Sequence, residues 1–298
     1  MEINGITIED AFAEAFPMTA TRLIITAADR FWARRAAESM TGFATSVIAC
    51  GCEAGIEGEV PAEQTPDGRP GIAVLVFSVS GKALEKQVVK RVGQCVLTCP
   101  STSVFAGMTG EKRIALGSHL RYFGDGFQIS KVVGGIRYWR VPVMDGEFVC
   151  QEDTARCSAV GGGNFLVLSE TLAGALTACE AAMDAMRQLP DVIMPFPGGV
   201  ARSGSKVGSK YKSLNASTND AYCPTLKSVT NSLLPDGVSA ALEVVIDGLT
   251  EADVARAMRV GILAACESGY RHGLRAITGG NYGGKLGPFH FHLHEILQ

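Results

Sequence analysis

The alternation of extended and helical segments, in the same order in each half of the chain, constrains the fold more than any other feature. In the first half we predict two helices, 27–40 and 81–92, among strands at 21–26, 44–49, 72–79, 94–98, 135–141 and 147–150. The second half repeats the order, with helices at 171–189 and 250–266 among strands at 164–168, 192–195, 240–247 and 274–278. Two βαββαβ units predict an α+β protein with two ferredoxin-like lobes in tandem, each an antiparallel sheet flanked by helices. We place the first lobe at 1–147 and the second at 148–298.

Composition narrows the class of protein. Apolar residues make up 47% and charged residues 19% of the 298 residues, which excludes a chain that is disordered by composition. The formal net charge of -3 predicts no general attraction to nucleic acid or to an anionic membrane. No apolar run approaches the ~20 residues of a membrane-spanning helix. The acidic opening at 1–4 does not resemble a signal peptide, so we expect a cytoplasmic protein.

Cysteine and histidine residues are the candidate metal ligands. The nine cysteines are odd in number and predict free thiols. Neither Cys50 with Cys52 nor Cys95 with Cys99 has the paired CxxC spacing of a zinc site. The residues His290, His292 and His294 alternate along a predicted strand at 289–293 and therefore share one face. They could bind a metal or form the polar face of a terminal strand, and we favour the second interpretation because no carboxylate or cysteine motif completes a site. We predict no metal.

A basic run lies in a loop rich in glycine and serine. It contains Arg202, Lys206, Lys210 and Lys212 in a chain that is otherwise slightly acidic. Such a segment suits an anionic substrate, because lysine and arginine side chains and free backbone N–H groups all donate hydrogen bonds to anions. A solvated surface loop is the alternative. The run does not match the Walker pattern of a nucleotide-binding loop.

Glu243 is the most suggestive single residue. It interrupts the apolar strand predicted at 240–247. If apolar neighbours enclose it, loss of water raises the pKa of its carboxyl group and suits it to proton transfer near neutral pH. On an alternating strand the same residue could instead face solvent, and the pattern leaves both interpretations open.

Several segments spread over the whole chain resemble one known family. They include the unusual stretches TPDGRPG at 65–71 and ASTNDAYCP at 216–224, with further matches at 1–5, 12–16, 41–43, 45–48, 123–126, 162–165, 195–199, 205–210 and 283–287. On these residues the chain resembles the formylmethanofuran:tetrahydromethanopterin formyltransferases.

The resemblance implies reversible transfer of a formyl group between methanofuran and N5 of tetrahydromethanopterin, without a metal or prosthetic group. Both carriers would be small-molecule cosubstrates. It also implies two ferredoxin-like lobes and a homotetramer. In methylotrophic bacteria the family also supplies a subunit of a larger formyltransferase/hydrolase complex. The composition of this chain favours the bacterial type over salt-adapted archaeal members.

The resemblance also suggests roles for particular residues. Glu243 matches the glutamate of the family's second lobe, and we predict it as the catalytic proton shuttle. We predict that the following residues bind substrate: Gly198, Gly199, Ser205, Lys206, Lys210, Asn219, Asp220 and Tyr222. Three alternatives remain open: a non-catalytic scaffold subunit, a metal-binding protein that uses the histidine strand, and a transferase that uses tetrahydrofolate.

Overall fold

A computed structural model describes all residues from 1 to 298. The chain divides into two compact units, which we call the first-half unit and the second-half unit. The first-half unit is Met18–Ala159, and the second-half unit consists of Met1–Pro17 with Val160–Gln298. The predicted boundary between 147 and 148 remains a prediction.

Strands and helices alternate along the chain and form a mixed α+β protein. The strands are β1 (Glu2–Ile3), β2 (Ile6–Ile8), β3 (Phe12–Thr26), β4 (Glu53–Val60), β5 (Gly71–Ser78), β6 (Ser103–Ala106), β7 (Arg113–Ala115), β8 (Ile129–Val133), β9 (Ile136–Val143), β10 (Gly146–Gln151), β11 (Asp153–Ala155), β12 (Cys157–Ser169), β13 (Val192–Ile193), β14 (Val200–Ala201), β15 (Lys206–Val207), β16 (Ala216–Ser217), β17 (Ala240–Gly248), β18 (Leu274–Thr278) and β19 (Phe289–His292). The helices are α1 (Arg30–Thr41), α2 (Val47–Cys50), α3 (Gly81–Arg91), α4 (Gly117–Leu120), α5 (Leu172–Met186), α6 (Glu251–Gly269) and α7 (Leu293–Ile296). None of these helices combines the length and the apolar character needed to cross a membrane.

The sheet of the first-half unit has the strand order β4-β5-β3-β6-β10-β9-β8. All neighbours in it are antiparallel except β6 and β10. Helices α1 and α3 pack against β5, and their buried side chains form one core with the strands. Burial of this apolar layer is the main favourable term for the unit.

Two strand predictions in this unit were wrong. The segment 44–49 contains helix α2, where the Ser46 side chain accepts a hydrogen bond from the backbone N–H of Ile48, and the strand lies later, at β4. Strand β4 is rich in glycine and glutamate because it is a partly exposed edge strand. The segment 94–98 continues helix α3 as a π-helical turn at Val92–Val96. Val92 and Val96 are both buried, and their spacing of four residues fits a helix.

The sheet of the second-half unit has the order β1-β2-β18-β12-β17, with β13 and β14 both paired to the far edge of β17. Only β2 and β18 are parallel among these neighbours. Helices α5 and α6 pack on one face of this sheet, where Phe165, Val167 and Val244 are fully buried. Thr250 caps α6 with a capping box, as the sequence predicted for its N-cap.

The opposite face of this sheet carries no α-helix, only short 3-10 turns at Asp220–Tyr222 and Pro224–Leu226, and we call it the helix-free face. Leu166, Leu168 and Ala276 point to it, and they pack with Leu234 and Val238 of the long segment 202–239. Since side chains alternate along a strand, residues next to the helix-facing ones must lie under this segment. The segment therefore forms the roof of the helix-free face.

A buried carboxylate organises the loop that follows β18. Glu14 on β3 is 0% exposed, and its two carboxylate oxygens accept hydrogen bonds of 2.6 to 2.8 Å from the backbone N–H groups of Tyr282, Gly284, Leu286 and Gly287. Burial alone would raise the pKa of Glu14, but these four donors outweigh it and lower that pKa to about 2. A Cβ at Gly287 would lie 2.2 Å from the Ala15 carbonyl oxygen, so only glycine fits there.

We expect Glu14→Gln to lower the free energy of unfolding by roughly 2 to 3 kcal/mol, because an amide NH₂ would face backbone N–H groups that need an acceptor. The carboxylate stabilises the fold above the ordinary carboxyl pKa of 4.5, and this contribution is lost as pH falls toward about 2. Urea unfolding at several pH values should therefore show the difference between wild type and variant shrinking as pH falls through that window. The exposed Glu2→Gln is the control, and equal stabilities of wild type and Glu14→Gln would contradict the prediction.

Candidate functional site

A row of four residues crosses the helix-free face of the second-half unit. Ala201 on β14 lies beside Glu243 on β17, Glu243 lies beside Leu166 on β12, and Leu166 lies beside Thr278 on β18. Directly paired residues point to the same side of a sheet. Glu243 therefore faces the segment 202–239, whereas its neighbours Leu242 and Val244 belong to the helix-side core.

A pocket lies over this row. Its volume is about 350 Å³ when its opening to solvent is included. The strands contribute its floor, and the covering segment contributes its wall. The lining residues are Leu166, Ala201, Arg202, Ser203, Gly204, Asn219, Tyr222, Cys223, Ala241, Leu242 and Glu243.

The carboxyl group of Glu243 is enclosed without a partner. The residue is partly buried, and its side chain forms no hydrogen bond and no ion pair. Burial raises the pKa of this carboxyl group from 4.5 to about 7, and no cation or N–H donor lowers it. Glu243 is thus partly buried rather than fully solvent-facing, which favours the first of the two interpretations that the sequence left open. A carboxyl group with a pKa near neutrality can both release and accept a proton under ordinary conditions.

Two residues of the ASTNDAYCP segment enter the same pocket. Tyr222 packs on the leucine cluster of the helix-free face, and its hydroxyl forms a hydrogen bond with the Thr278 side chain. Burial raises the pKa of Tyr222, and the hydrogen bond to Thr278 acts in the opposite direction. Asn219 begins the turn that places Tyr222, since its carbonyl oxygen accepts from the Tyr222 N–H at 3.0 Å and from the Cys223 thiol at 3.3 Å. Asn219, Tyr222 and Glu243 are thus brought together.

The other predicted binding residues lie outside the pocket lining. Lys206 forms an ion pair of 2.5 Å with Asp220, and this partner lowers the pKa of Asp220. Ser205 and Lys210 are exposed. Gly198 and Gly199 precede β14, where a Cβ at Gly199 would lie 2.0 Å from Met183 of α5, so that glycine faces the helix side. Their roles in binding remain predictions.

The histidines and cysteines do not assemble into a cluster. The structure brings together no group of three or more histidine, cysteine, aspartate or glutamate residues that could hold a metal ion. His290 and His292 are exposed on β19, and the predicted strand ends one residue early because α7 begins at Leu293. His294 lies near the N-terminus, with its Nε2 3.0 Å from the Met1 amino nitrogen.

Several pocket residues are not among the predicted site residues. Arg202 stands out in the sequence only as part of the basic run, and Ser203, Gly204 and Cys223 carry no individual signal. For Ser203 and Gly204, the one local sign in the sequence is that they lie within the basic run, between Arg202 and Lys206. The sequence could not show that β14 pairs with the strand that carries Glu243.

A partly buried carboxyl group with a raised pKa in a small pocket, on an α+β scaffold, is typical of an enzyme that applies acid–base chemistry to a small molecule. The model of the formylmethanofuran-tetrahydromethanopterin formyltransferase family matches residues 1–143, and the model of that family's proximal lobe matches 146–296. The chain therefore belongs to this family of formyltransferases.

Individual relatives agree along the full length. The chain is 64% identical over 297 residues to the formylmethanofuran–tetrahydromethanopterin formyltransferase of Methylococcus capsulatus, with 100% of both chains covered. It is 53% identical to one subunit of the formyltransferase/hydrolase complex of Methylorubrum extorquens, covering 99% of this chain and 97% of that one. A crystal structure of the M. extorquens complex with methylofuran contains a chain that matches with a TM-score of 0.98 and 52% identity, covering 100% of this chain and 99% of that one.

Stability should depend on pH through Glu243. The folded state holds the Glu243 proton more tightly than the unfolded chain does, so its ionisation costs stability as pH rises from 4.5 through about 7. Glu243→Gln has no charge to bury, and we expect it to gain roughly 2 kcal/mol of stability relative to wild type across this window. Urea unfolding between about pH 4.5 and about pH 8 would measure the gain. The exposed Glu267→Gln should follow wild type, and parallel profiles for all three proteins would contradict the enclosure of Glu243.

Proposed function

We propose that this protein reversibly transfers a formyl group between formylmethanofuran, or a methanofuran analogue, and N5 of tetrahydromethanopterin in one-carbon metabolism. Family membership over both halves of the chain supports the reaction class and the two carriers. The observation that carries the mechanism is the enclosed and unpartnered carboxyl group of Glu243, whose pKa is raised to about 7.

The chemistry needs little beyond positioning and one proton shuttle. An amine nitrogen attacks the formamide carbon, the carbonyl oxygen takes up negative charge in a tetrahedral intermediate, and the first amine leaves with a proton. Glu243 can accept the proton from the attacking amine and return it to the leaving amine, because both its protonation states are populated near neutral pH. Asn219 and Tyr222, which line the same pocket, can donate hydrogen bonds to the bound carrier.

Each unit has the strand order expected of a ferredoxin-like lobe, and we propose that both are such lobes. In the second-half unit the order β18-β12-β17-β13/β14 corresponds to 4-1-3-2 of a βαββαβ unit, with α5 and α6 as its helices. In the first-half unit β6-β3-β5-β4 has the same order. The family models meet between 143 and 146, which supports the proposed division into 1–147 and 148–298.

The wider setting is proposed from the relatives. We infer a cytoplasmic protein that assembles as a homotetramer or serves as one component of a formyltransferase/hydrolase complex, as the M. extorquens relative does. Substrate contacts by Gly198, Gly199, Ser205, Lys206, Lys210 and Asp220 belong to this proposal as well. A non-catalytic scaffold is the second candidate, but a scaffold has no use for an enclosed acid, and this chain keeps one.

Glu243→Gln tests the catalytic assignment. We expect kcat for formyl exchange between formylmethanofuran and tetrahydromethanopterin to fall by about 100-fold or more, because glutamine has nearly the same shape and cannot shuttle a proton. Activity would be followed with purified protein and no added metal, and circular dichroism would confirm that the variant is folded. Glu267→Gln, an exposed glutamate in the same unit, should retain full activity.

The outcomes separate the candidate functions. An active wild type with an equally active Glu243→Gln would keep the transferase and remove Glu243 from the mechanism. An inactive wild type, with both carriers shown to be intact, would favour the scaffold.

A further inference from the structure

Arg202 is the cation in the wall of the Glu243 pocket. It directly follows β14, whose Ala201 lies beside Glu243 in the sheet, and it lines the pocket. Its guanidinium group forms no hydrogen bond and no ion pair in the structure, and the residue is exposed. Most arginines of this chain have a carboxylate or carbonyl partner, as Arg22 has in Glu57 and Arg91 in the carbonyl of Met40, although the side chain of Arg156 also has none. Arg202 therefore lacks the structural role that those residues have.

The other cations of the basic run are either paired with a carboxylate or lie outside the pocket. Lys206 is paired with Asp220 at 2.5 Å, so its charge is already compensated. Lys210 and Lys212 are exposed and do not line the pocket. Arg202 is the cationic residue among those that line it.

The guanidinium group of Arg202 also forms no ion pair with Glu243. A cation next to this carboxyl group would favour its charged form and lower its pKa. Burial is instead the cause that acts on this pKa, and burial raises it. Arg202 and Glu243 thus line one pocket without forming an ion pair, and the pocket has a cationic rim and, on its floor, an acid that is only partly ionised near neutral pH. A ligand that matches it carries an anionic group at some distance from its reacting atoms.

The turn after Arg202 adds donors of the same kind. The backbone N–H groups of Ser203 and Gly204 have no hydrogen-bond partner, and both residues line the pocket. Gly204 has φ of +54°, and a Cβ there would lie 3.3 Å from the Cβ of Asn219, so the turn favours glycine. Successive free N–H groups in such a turn form a concave site for oxygen anions.

We propose that Arg202, with the adjoining turn, binds a carboxylate or phosphate group of the carrier that occupies the Glu243 pocket, and so determines which carrier is accepted there. The planar guanidinium fork pairs with either anion through two parallel hydrogen bonds. This inference rests on the proposed function and assigns Arg202 to substrate binding away from the reacting atoms. The interaction is the same in the ground state and the transition state, so its loss affects KM rather than kcat.

The test is steady-state kinetics of Arg202→Ala and Arg202→Lys with each carrier varied in turn. We expect Arg202→Ala to raise KM for one carrier by about 10- to 100-fold, with kcat within about threefold of wild type. Arg202→Lys should give an intermediate KM, because it keeps the charge and loses the fork. Lys212→Ala is the matched control, since it removes one charge from the same segment outside the pocket and should leave both KM values unchanged.

Two small anions identify the group that Arg202 binds. Inorganic phosphate and glutarate would be added as competitors to wild type and to Arg202→Ala, at constant ionic strength. Competitive inhibition of wild type by phosphate, absent in the variant, identifies a phosphate site, and the same pattern with glutarate identifies a carboxylate site. Unchanged KM values for both carriers in a folded Arg202→Ala, or a fall in kcat alone, would overturn the inference while the transferase stands. A wild type without formyl exchange would overturn the proposed function and this inference with it.

Discussion

An acidic side chain that is enclosed by protein and given no partner is the constraint on which the rest of the site depends. Glu243 meets no cation and no N–H donor, so its ionisation is opposed by burial alone and the pKa of its carboxyl group rises to about 7. Glu14, in the same unit, is also buried, but four backbone N–H groups surround its oxygens and its pKa falls to about 2. The two glutamates differ in the number of hydrogen-bond donors around their carboxyl groups. Glu14 is ionised at neutral pH and holds a loop together, whereas Glu243 can exchange a proton there.

The sheet of the second-half unit makes this arrangement possible because it is covered differently on its two faces. Helices α5 and α6 close one face with apolar side chains and form the core that stabilises the unit. The other face is closed by the irregular segment 202–239, which can carry polar side chains and unpaired backbone groups to a small pocket. A helix in that position would have used its own N–H groups internally. Binding sites are often built from a loop that lies over a rigid sheet, because the sheet holds the loop in place and the loop sequence can vary without disturbing the fold.

Segments with a strong periodic pattern were predicted well, and segments under competing constraints were not. Strand β18 begins and ends at the predicted residues, and α6 begins at its predicted cap, because a clear alternation and a capping threonine are local signals. The failures at 44–49 and 94–98 arose where valine and isoleucine suggested strands although serine capping or helical spacing decided the conformation. Edge strand β4 was missed because an exposed edge does not need the apolar composition of a central strand.

The sequence by itself determined the α+β class, the doubled order of helices and strands, and the prominence of Glu243, because each of these follows from residue types along a few turns or a single strand. Only the tertiary structure decided that Glu243 faces the helix-free side, that Asn219 and Tyr222 share its pocket, and that Lys206 is paired with Asp220 while Arg202 is not paired. These facts depend on register between strands far apart in the chain and on the path of a loop over them. A one-residue shift of register would turn Glu243 to the other face. The apolar residues Leu242 and Val244 favour one face, but which strands pair beside Glu243 and which segment covers it is decided only by long-range contacts.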